Sequence, residues 1–326
     1  MGKVLIIKLG YSETLDKEIS RTTSLGDVLR TTFVLNYFKH DDVSWLVDEK
    51  AAPLLENNPY INRLLLHNLE TVLQLQSERF DTVINLEKVP GICALADSIN
   101  AWRRFGFRFD EYRGTAQSYD GAEKVLSLSL SDDEKRESKR YWQEALAEMI
   151  GIKWKGEGYV LGYRPRTKTV NDVGFNWQAG RKWKNKAWPK EHWEKLERRL
   201  KDRYSISWQQ GLNDLYEYMD WINTCRLIIT NDSLGMHLAV ALKKKVIALF
   251  GPSSSKEVCL YERGRIMLPK TDYNCVPCLQ RECFQKEHCM RFIKPADVAK
   301  EAEKILRREG RNKQTSHSKK ALAGAG

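Results

Sequence analysis

The sequence predicts an α/β protein built from two parallel-sheet domains. Three observations carry that prediction. Apolar runs of strand length alternate with segments of helical period in both halves of the chain. With 326 residues, 42% of them hydrophobic, the chain is long enough for two cores. The alternation lapses over 153–168, a stretch with three Gly and one Pro, and then restarts.

In chain order, 4–9 reads as a strand buried on both faces, an apolar run broken only by Lys8. A polar loop over 10–23 follows, then a helical pattern over 28–38 and a second strand over 43–47. A short helix over 51–57 stops before Pro59, and 61–66 is a strand or the approach to one. Residues 69–78 form a helix and 80–86 a third strong strand. The span 135–150 reads as one amphipathic helix with Trp142, Leu146 and Met149 on one side.

In the second half, 173–177 is a strand, and Pro189 opens a helix over 190–201. Strands over 205–208, 227–230 and 246–250 alternate with helices over 215–224 and 235–242. After a cysteine-rich segment, 295–308 is a last amphipathic helix. The expected domains are therefore 1–158 and 159–294, with a polar, basic and then Ala/Gly-rich tail over 309–326 that is expected to be disordered.

The formal net charge is +11, and much of it sits at the end: from Arg307 onward six Lys or Arg stand against one acid, Glu309. The remaining excess suits phosphorylated ligands or peripheral contact with an anionic membrane surface, and does not by itself demand nucleic acid. No run approaches twenty apolar residues, so no spanning helix is expected. The N-terminus, charged at Lys3 and Lys8, reads as a first strand rather than a leader, which predicts a cytoplasmic protein, with the inner face of the membrane as its peripheral surface.

Ligands of open α/β sheets bind at the carboxyl ends of strands, so the strand-to-helix loops hold the candidates. In Ser24-Leu25-Gly26-Asp27, Asp27 sits near a helix N-terminus; the residues alone favour a helix cap over a general base. Residues 230–237 place small polar side chains at a helix start, where free N–H groups and the dipole favour a phosphate. The loop is neither a Walker A sequence nor Gly-x-Gly-x-x-Gly, and a well-capped helix is an equal reading. The run Arg181, Lys182, Lys184, Lys186, interleaved with Trp183 and followed by Trp188-Pro189, puts four cations where a diphosphate needs neutralising.

The order Ser-Leu-Gly-Asp with Thr31-Thr32, Lys186-x-Trp188-Pro189, Asn231-Asp232-Ser233 through Met236-His237, and Phe250-Gly251-Pro252 resembles the family 9 glycosyltransferases, the lipopolysaccharide heptosyltransferases and their relatives. The resemblance runs from about Lys3 to Leu306. It implies a GT-B fold, two Rossmann-like domains facing a central cleft, with acceptor on the first and nucleotide sugar on the second. The 295–308 helix is then expected to pack back onto the first domain. The implied reaction is inverting sugar transfer, with heptose the default, from a nucleoside-diphosphate sugar such as ADP-heptose to a glycan, lipid-linked or protein acceptor. Asp27 matches the general base. Lys186, with Lys184 beside it, matches the phosphate-binding lysine, and Asp232, Ser233, Leu234, Gly235 and His237 match the donor loop. No catalytic metal is implied.

Three departures from the family pattern stand out. Leu234 and Gly235 are exchanged, which shifts the expected backbone contact by one residue. The first loop is extended, so Tyr11, Glu13, Arg21, Ser24 and Arg30 are the expected acceptor-side residues. The span 208–215 replaces a longer loop that often carries a ribose-binding acid.

Cys275, Cys278, Cys283 and Cys289 lie within fifteen residues, a spacing that predicts a structural tetrathiolate zinc or iron site. His288 is a substitute ligand, and free or disulfide cysteines are the plainer reading. Two other functions remain open on these residues: a basic zinc protein that binds nucleic acid, which leaves the two α/β halves unexplained, and an iron-bearing redox or assembly protein.

Overall fold

The computed structural model describes residues 1–11, 22–210 and 214–308. Glu13, Arg21 and the 309–326 tail lie outside them. The chain divides into two compact units, Met1–Pro165 with Lys256–Cys259, and Arg166–Ser255 with Leu260–Gly326. The junction thus falls at Pro165 rather than at 158. The short excursion 256–259 joins the first unit, where the Glu257 carbonyl accepts the Trp142 N–H at 3.0 Å.

The first unit is a six-stranded sheet of order β3-β2-β1-β4-β5-β6, made of β1 (Lys3–Ile7), β2 (Asp42–Val47), β3 (Arg63–Leu66), β4 (Arg79–Asn85), β5 (Asn100–Asp110) and β6 (Thr115–Ser118). Every pairing is parallel except β5 with β6. Strand alternation decides the core: Val4 and Ile6 of β1 point to one buried cluster, Leu5 and Ile7 to another on the opposite face. Helices α1 (Leu25–Thr31), α2 (Leu69–Ser77) and α3 (Pro90–Ser98) link the strands.

Two stretches differ from expectation. The helix expected over 135–150 is two helices, α5 (Asp132–Glu137) and α6 (Trp142–Met149), preceded by α4 (Glu123–Leu130). Ser138 leaves the helical conformation, and the Glu144 carboxylate accepts the Tyr141 N–H at 2.9 Å, which starts the second helix. Between 87 and 134 the sequence offered no element, yet α3, β5, β6 and α4 lie there. The adjacent Arg103 and Arg104 hide the period-two pattern of Phe105, Phe107 and Phe109 in β5.

The second unit is an all-parallel sheet of order β11-β10-β9-β7-β8: β7 (Asn171–Asn176), β8 (Ile206–Trp208), β9 (Cys225–Asn231), β10 (Lys245–Leu249) and β11 (Gly264–Met267). Helices α7 (Lys190–Leu200), α8 (Leu215–Thr224) and α9 (Leu234–Ala241) connect them. A last helix, α10, spans 295–308. Its apolar residues Val298, Ala299, Ala302 and Leu306 belong to the second unit's core with Val173, Trp193 and Leu227.

In both sheets the chain reverses its direction of travel beside the first strand. These switch points lie between β1 and β4, and between β7 and β9. Crevices at the carboxyl ends of such strands are where open α/β sheets bind ligands.

Candidate functional site

At the second unit's switch point, β9 ends in Thr230 and Asn231, and Asp232-Ser233 leads into α9. Ser233 occupies the cap position of α9, but its side chain makes no capping bond. Its hydroxyl instead accepts the Asn176 amide N–H at 2.9 Å. A helix start whose Ser turns away from capping leaves its dipole end for an anion. Asn231 fixes the loop: its carbonyl oxygen accepts the Trp188 N–H at 3.0 Å, and its amide donates to the Trp177 carbonyl at 2.8 Å.

Asn231 thereby ties β9 to the cationic turn at Arg181–Lys186, in which Lys186 Nζ reaches Asp232 Oδ2 at 2.7 Å. Their side chains are only 15% and 13% exposed. Burial would raise the Asp232 carboxyl, but the adjacent Lys186 ammonium outweighs it and holds it at about 2. Lys184 lies exposed on the same turn. His237 and Gly235 are buried in α9, and Leu234 is half-buried.

Gly235 is small for a reason the sequence did not disclose. A methyl there would stand 2.2 Å from the Tyr218 hydroxyl and 2.3 Å from the Asn176 amide nitrogen. Asp214, in the segment without the expected ribose-binding acid, caps α8 by accepting the Tyr216 N–H at 2.6 Å and the Glu217 N–H at 3.0 Å.

The cysteine segment packs against this site. The Leu279 N–H donates to the Pro252 carbonyl at 2.7 Å, just past β10, and the Asn185 amide donates to the Gln280 carbonyl. Cys289 is buried, and burial together with the neighbouring Cys278, Cys283 and Cys275 pushes its thiol up to about 12. The thiols therefore share one neighbourhood, and soft thiolates suit zinc or iron. Among the described residues, however, no three His, Cys, Asp or Glu side chains are arranged to hold an ion.

At the first unit's switch point stands Asp27, in the first turn of α1 and almost fully buried. It is not a cap. Its carboxylate pairs with the Lys8 ammonium and takes two contacts from Arg30, from Nε at 2.9 Å and from an Nη at 2.8 Å. Burial would raise this carboxyl, but Lys8, Arg30 and Lys88 hold it well below the usual carboxylate range. Lys8 also stands 3.3 Å from Glu87, which accepts the Gly10 N–H at 2.6 Å and the Tyr11 N–H at 3.3 Å. Lys88 is buried; desolvation first, then the like charge of Lys8, lowers its ammonium to about 8. Arg30 stacks over the Trp142 ring at 4.7 Å, and a small cavity opens between these charges and Lys135, Arg140 and Glu257.

The extended loop is closed at its base. Gly10, at φ +96°, accepts the Ser24 N–H at 2.8 Å, and Asp48 takes the Thr23 hydroxyl at 2.7 Å and the Tyr11 hydroxyl. Of the expected acceptor-side residues, Arg30 contacts Asp27, Tyr11 bonds Glu87 and Asp48, and Ser24 pairs with Gly10.

Sequence reasoning missed Glu87, Lys88, Asn176 and Tyr218. Only Lys8 left a signal, as the one charge in a buried strand. The other four come together through sheet pairing or crossover and carry no local motif.

Two nucleotide-binding-type α/β units with switch-point sites define the GT-B class of fold, and the solved structures agree. E. coli ADP-heptose lps heptosyltransferase II aligns with TM-score 0.65 at 16% identity, over 94% of this chain and 99% of that one. The iron-containing dodecameric glycosyltransferase TibC from enterotoxigenic E. coli H10407 aligns with TM-score 0.57 at 15% identity, over 94% and 77%. The model of glycosyltransferase family 9 (heptosyltransferase) matches residues 211–288, about a quarter of the chain. Lipooligosaccharide heptosyltransferase 2 of Campylobacter jejuni is 38% identical over 84 residues, which span 26% of this chain and 26% of that relative.

Proposed function

We propose that the protein is a glycosyltransferase that transfers a sugar, heptose by default, from a nucleoside-diphosphate sugar of the ADP-heptose kind, with inversion at the anomeric carbon. The carrying observation is the donor loop: Lys186 beside Asp232 at the start of α9, with a Ser233 hydroxyl that does not cap. In the bound state the diphosphate takes the Lys186 ammonium in place of Asp232 and lies at the α9 N-terminus. Both stabilise the charge that develops on the leaving group. The match of 211–288 to the family and the ADP-heptose named for a structural relative support this reading.

The acceptor belongs to the first unit in this reading. Asp27 takes the proton of the acceptor hydroxyl as its oxygen attacks the anomeric carbon. Lys8 and Arg30 fix the carboxylate's position, at the cost of weakening it as a base. The excess of cations around it, Lys8, Arg30, Lys88, Lys135 and Arg140 against Asp27 and Glu257, suits an acceptor that bears phosphate or carboxylate, as a lipopolysaccharide-type glycan does. The four-cysteine segment braces the donor loop through its hydrogen bonds to Pro252 and Asn185, and Cys275, Cys278, Cys283 and Cys289 are the thiols that would hold zinc or iron once drawn together. The iron named for one structural relative supports that assignment. No described helix is long and apolar enough to cross a membrane, and contact with an anionic membrane surface remains part of the proposal.

A thermal-shift screen against ADP-heptose and other nucleotide sugars tests the reading, with product detected by mass spectrometry. Stabilisation by an ADP-sugar with transfer to a core-glycan acceptor is expected. Stabilisation by none of the sugars, with salt-dependent binding to RNA or DNA, would replace it with the nucleic-acid reading.

A further inference from the structure

We infer that Asn176 and Tyr218 are positioning residues that aim the Ser233 hydroxyl proton at a phosphoryl oxygen of the donor. The inference rests on the donor-site reading above. Asn176 ends β7 beside β9 and is 2% exposed. Its amide nitrogen donates to Thr230 Oγ1 at 2.7 Å and to Ser233 Oγ at 2.9 Å, and its carbonyl oxygen accepts the Tyr218 hydroxyl at 2.7 Å.

These bonds dictate where each proton goes. Thr230 has one hydroxyl proton and gives it to the Asn231 carbonyl at 2.7 Å. Ser233 accepts from Asn176, makes no capping bond, and meets Thr230 Oγ1 only at 3.3 Å. Its own proton is therefore held for a better acceptor, and a phosphoryl oxygen is an acceptor only.

The device depends on which way the Asn176 amide faces. Reversed, its carbonyl oxygen would take the Ser233 proton and turn it inward. Tyr218 prevents reversal: it is buried, burial keeps its phenol protonated, and among the described residues the Asn176 carbonyl is its hydrogen-bond acceptor. A reversed amide would strand that buried proton. Gly235 belongs to the same device, since any side chain there would push Tyr218 and Asn176 off their positions.

Calorimetric titration of the full chain with ADP tests this through a double-mutant cycle. Ser233→Ala and Tyr218→Phe should each weaken ADP binding about five- to tenfold. The double variant should bind no more weakly than Ser233→Ala alone, because Tyr218 acts through Ser233. Asn176→Asp, whose carboxylate accepts the Ser233 proton and repels phosphate, should weaken binding further than either single variant. Thermal unfolding of each variant reports stability separately, and if Tyr218→Phe does not fold, Asn176→Ala replaces it in the cycle. Losses that multiply in the double variant, or Tyr218→Phe binding ADP as the wild type does, would overturn the inference. ADP binding left unchanged by both Ser233→Ala and Lys186→Ala would remove the donor-site reading and the inference with it.

Discussion

Lys186→Ala separates two roles that one lysine combines. Without ligand, the Lys186 ammonium sits 2.7 Å from Asp232 in a largely buried pair. Its removal leaves a desolvated carboxylate, and the Asp232 carboxyl, now at about 2, returns to the ordinary range near 4 or above it. Each pKa unit is worth about 1.4 kcal/mol, so the variant should lose about 2 kcal/mol of stability at neutral pH. The sign is that of a depressed carboxylate: the pair's contribution is full above about pH 4 and disappears as pH falls toward 2. The destabilisation should therefore fade in acid. Binding changes independently. A charge-assisted hydrogen bond to phosphate is worth about 1.5–3 kcal/mol, so ADP should bind about ten- to a hundredfold more weakly. Thermal unfolding from pH 3 to 7.5 and calorimetry with ADP at pH 7.5 measure the two effects. A variant that loses stability yet binds ADP at wild-type affinity would make Lys186 a structural partner of Asp232 and nothing more.

Asp27→Asn should lower kcat by at least about a hundredfold and leave ADP affinity intact, because the donor loop shares no residue with it; near-normal turnover would end its role as base. Lys88→Met should raise the unfolding temperature at neutral pH, since keeping a buried ammonium charged below its ordinary pKa costs up to about 3 kcal/mol. For a lowered lysine that cost is full below about pH 8 and declines above it, so a gain as large at pH 9.5 as at pH 6.5 would contradict the electrostatic cause. Gly235→Ala should cost about 1–3 kcal/mol through overpacking against Tyr218 and Asn176 and weaken ADP binding as well; a neutral substitution would show that the contact relaxes freely.

How much of this was legible in the sequence depends on how local each feature is. The strands of the two sheets show as apolar runs because parallel strands are buried on both faces, and the loops that follow β1 and β9 could be read as candidates from their place at strand ends. Residues 87–134 could not be read, because the arginines of β5 mask its alternation. The break between α5 and α6 was hidden because 131–140 is wholly polar, so no apolar period exists there for a break to interrupt. Lys8, Glu87 and Lys88 surround Asp27 only once β1 and β4 are paired. Gly235 is the clearest case: in the sequence it is an exchanged motif position, and in three dimensions it is the gap that admits a tyrosine from α8 and an asparagine from β7. The apolar stripe of α10, legible as helical period, packs into the core of its own unit.

The most direct test of the central claim is calorimetric titration of the full chain with ADP-heptose, repeated on Lys186→Ala. The account predicts saturable one-to-one binding that ADP displaces and that the substitution weakens about tenfold or more. Absence of binding to ADP-heptose, or binding of equal strength in the two proteins, would contradict it.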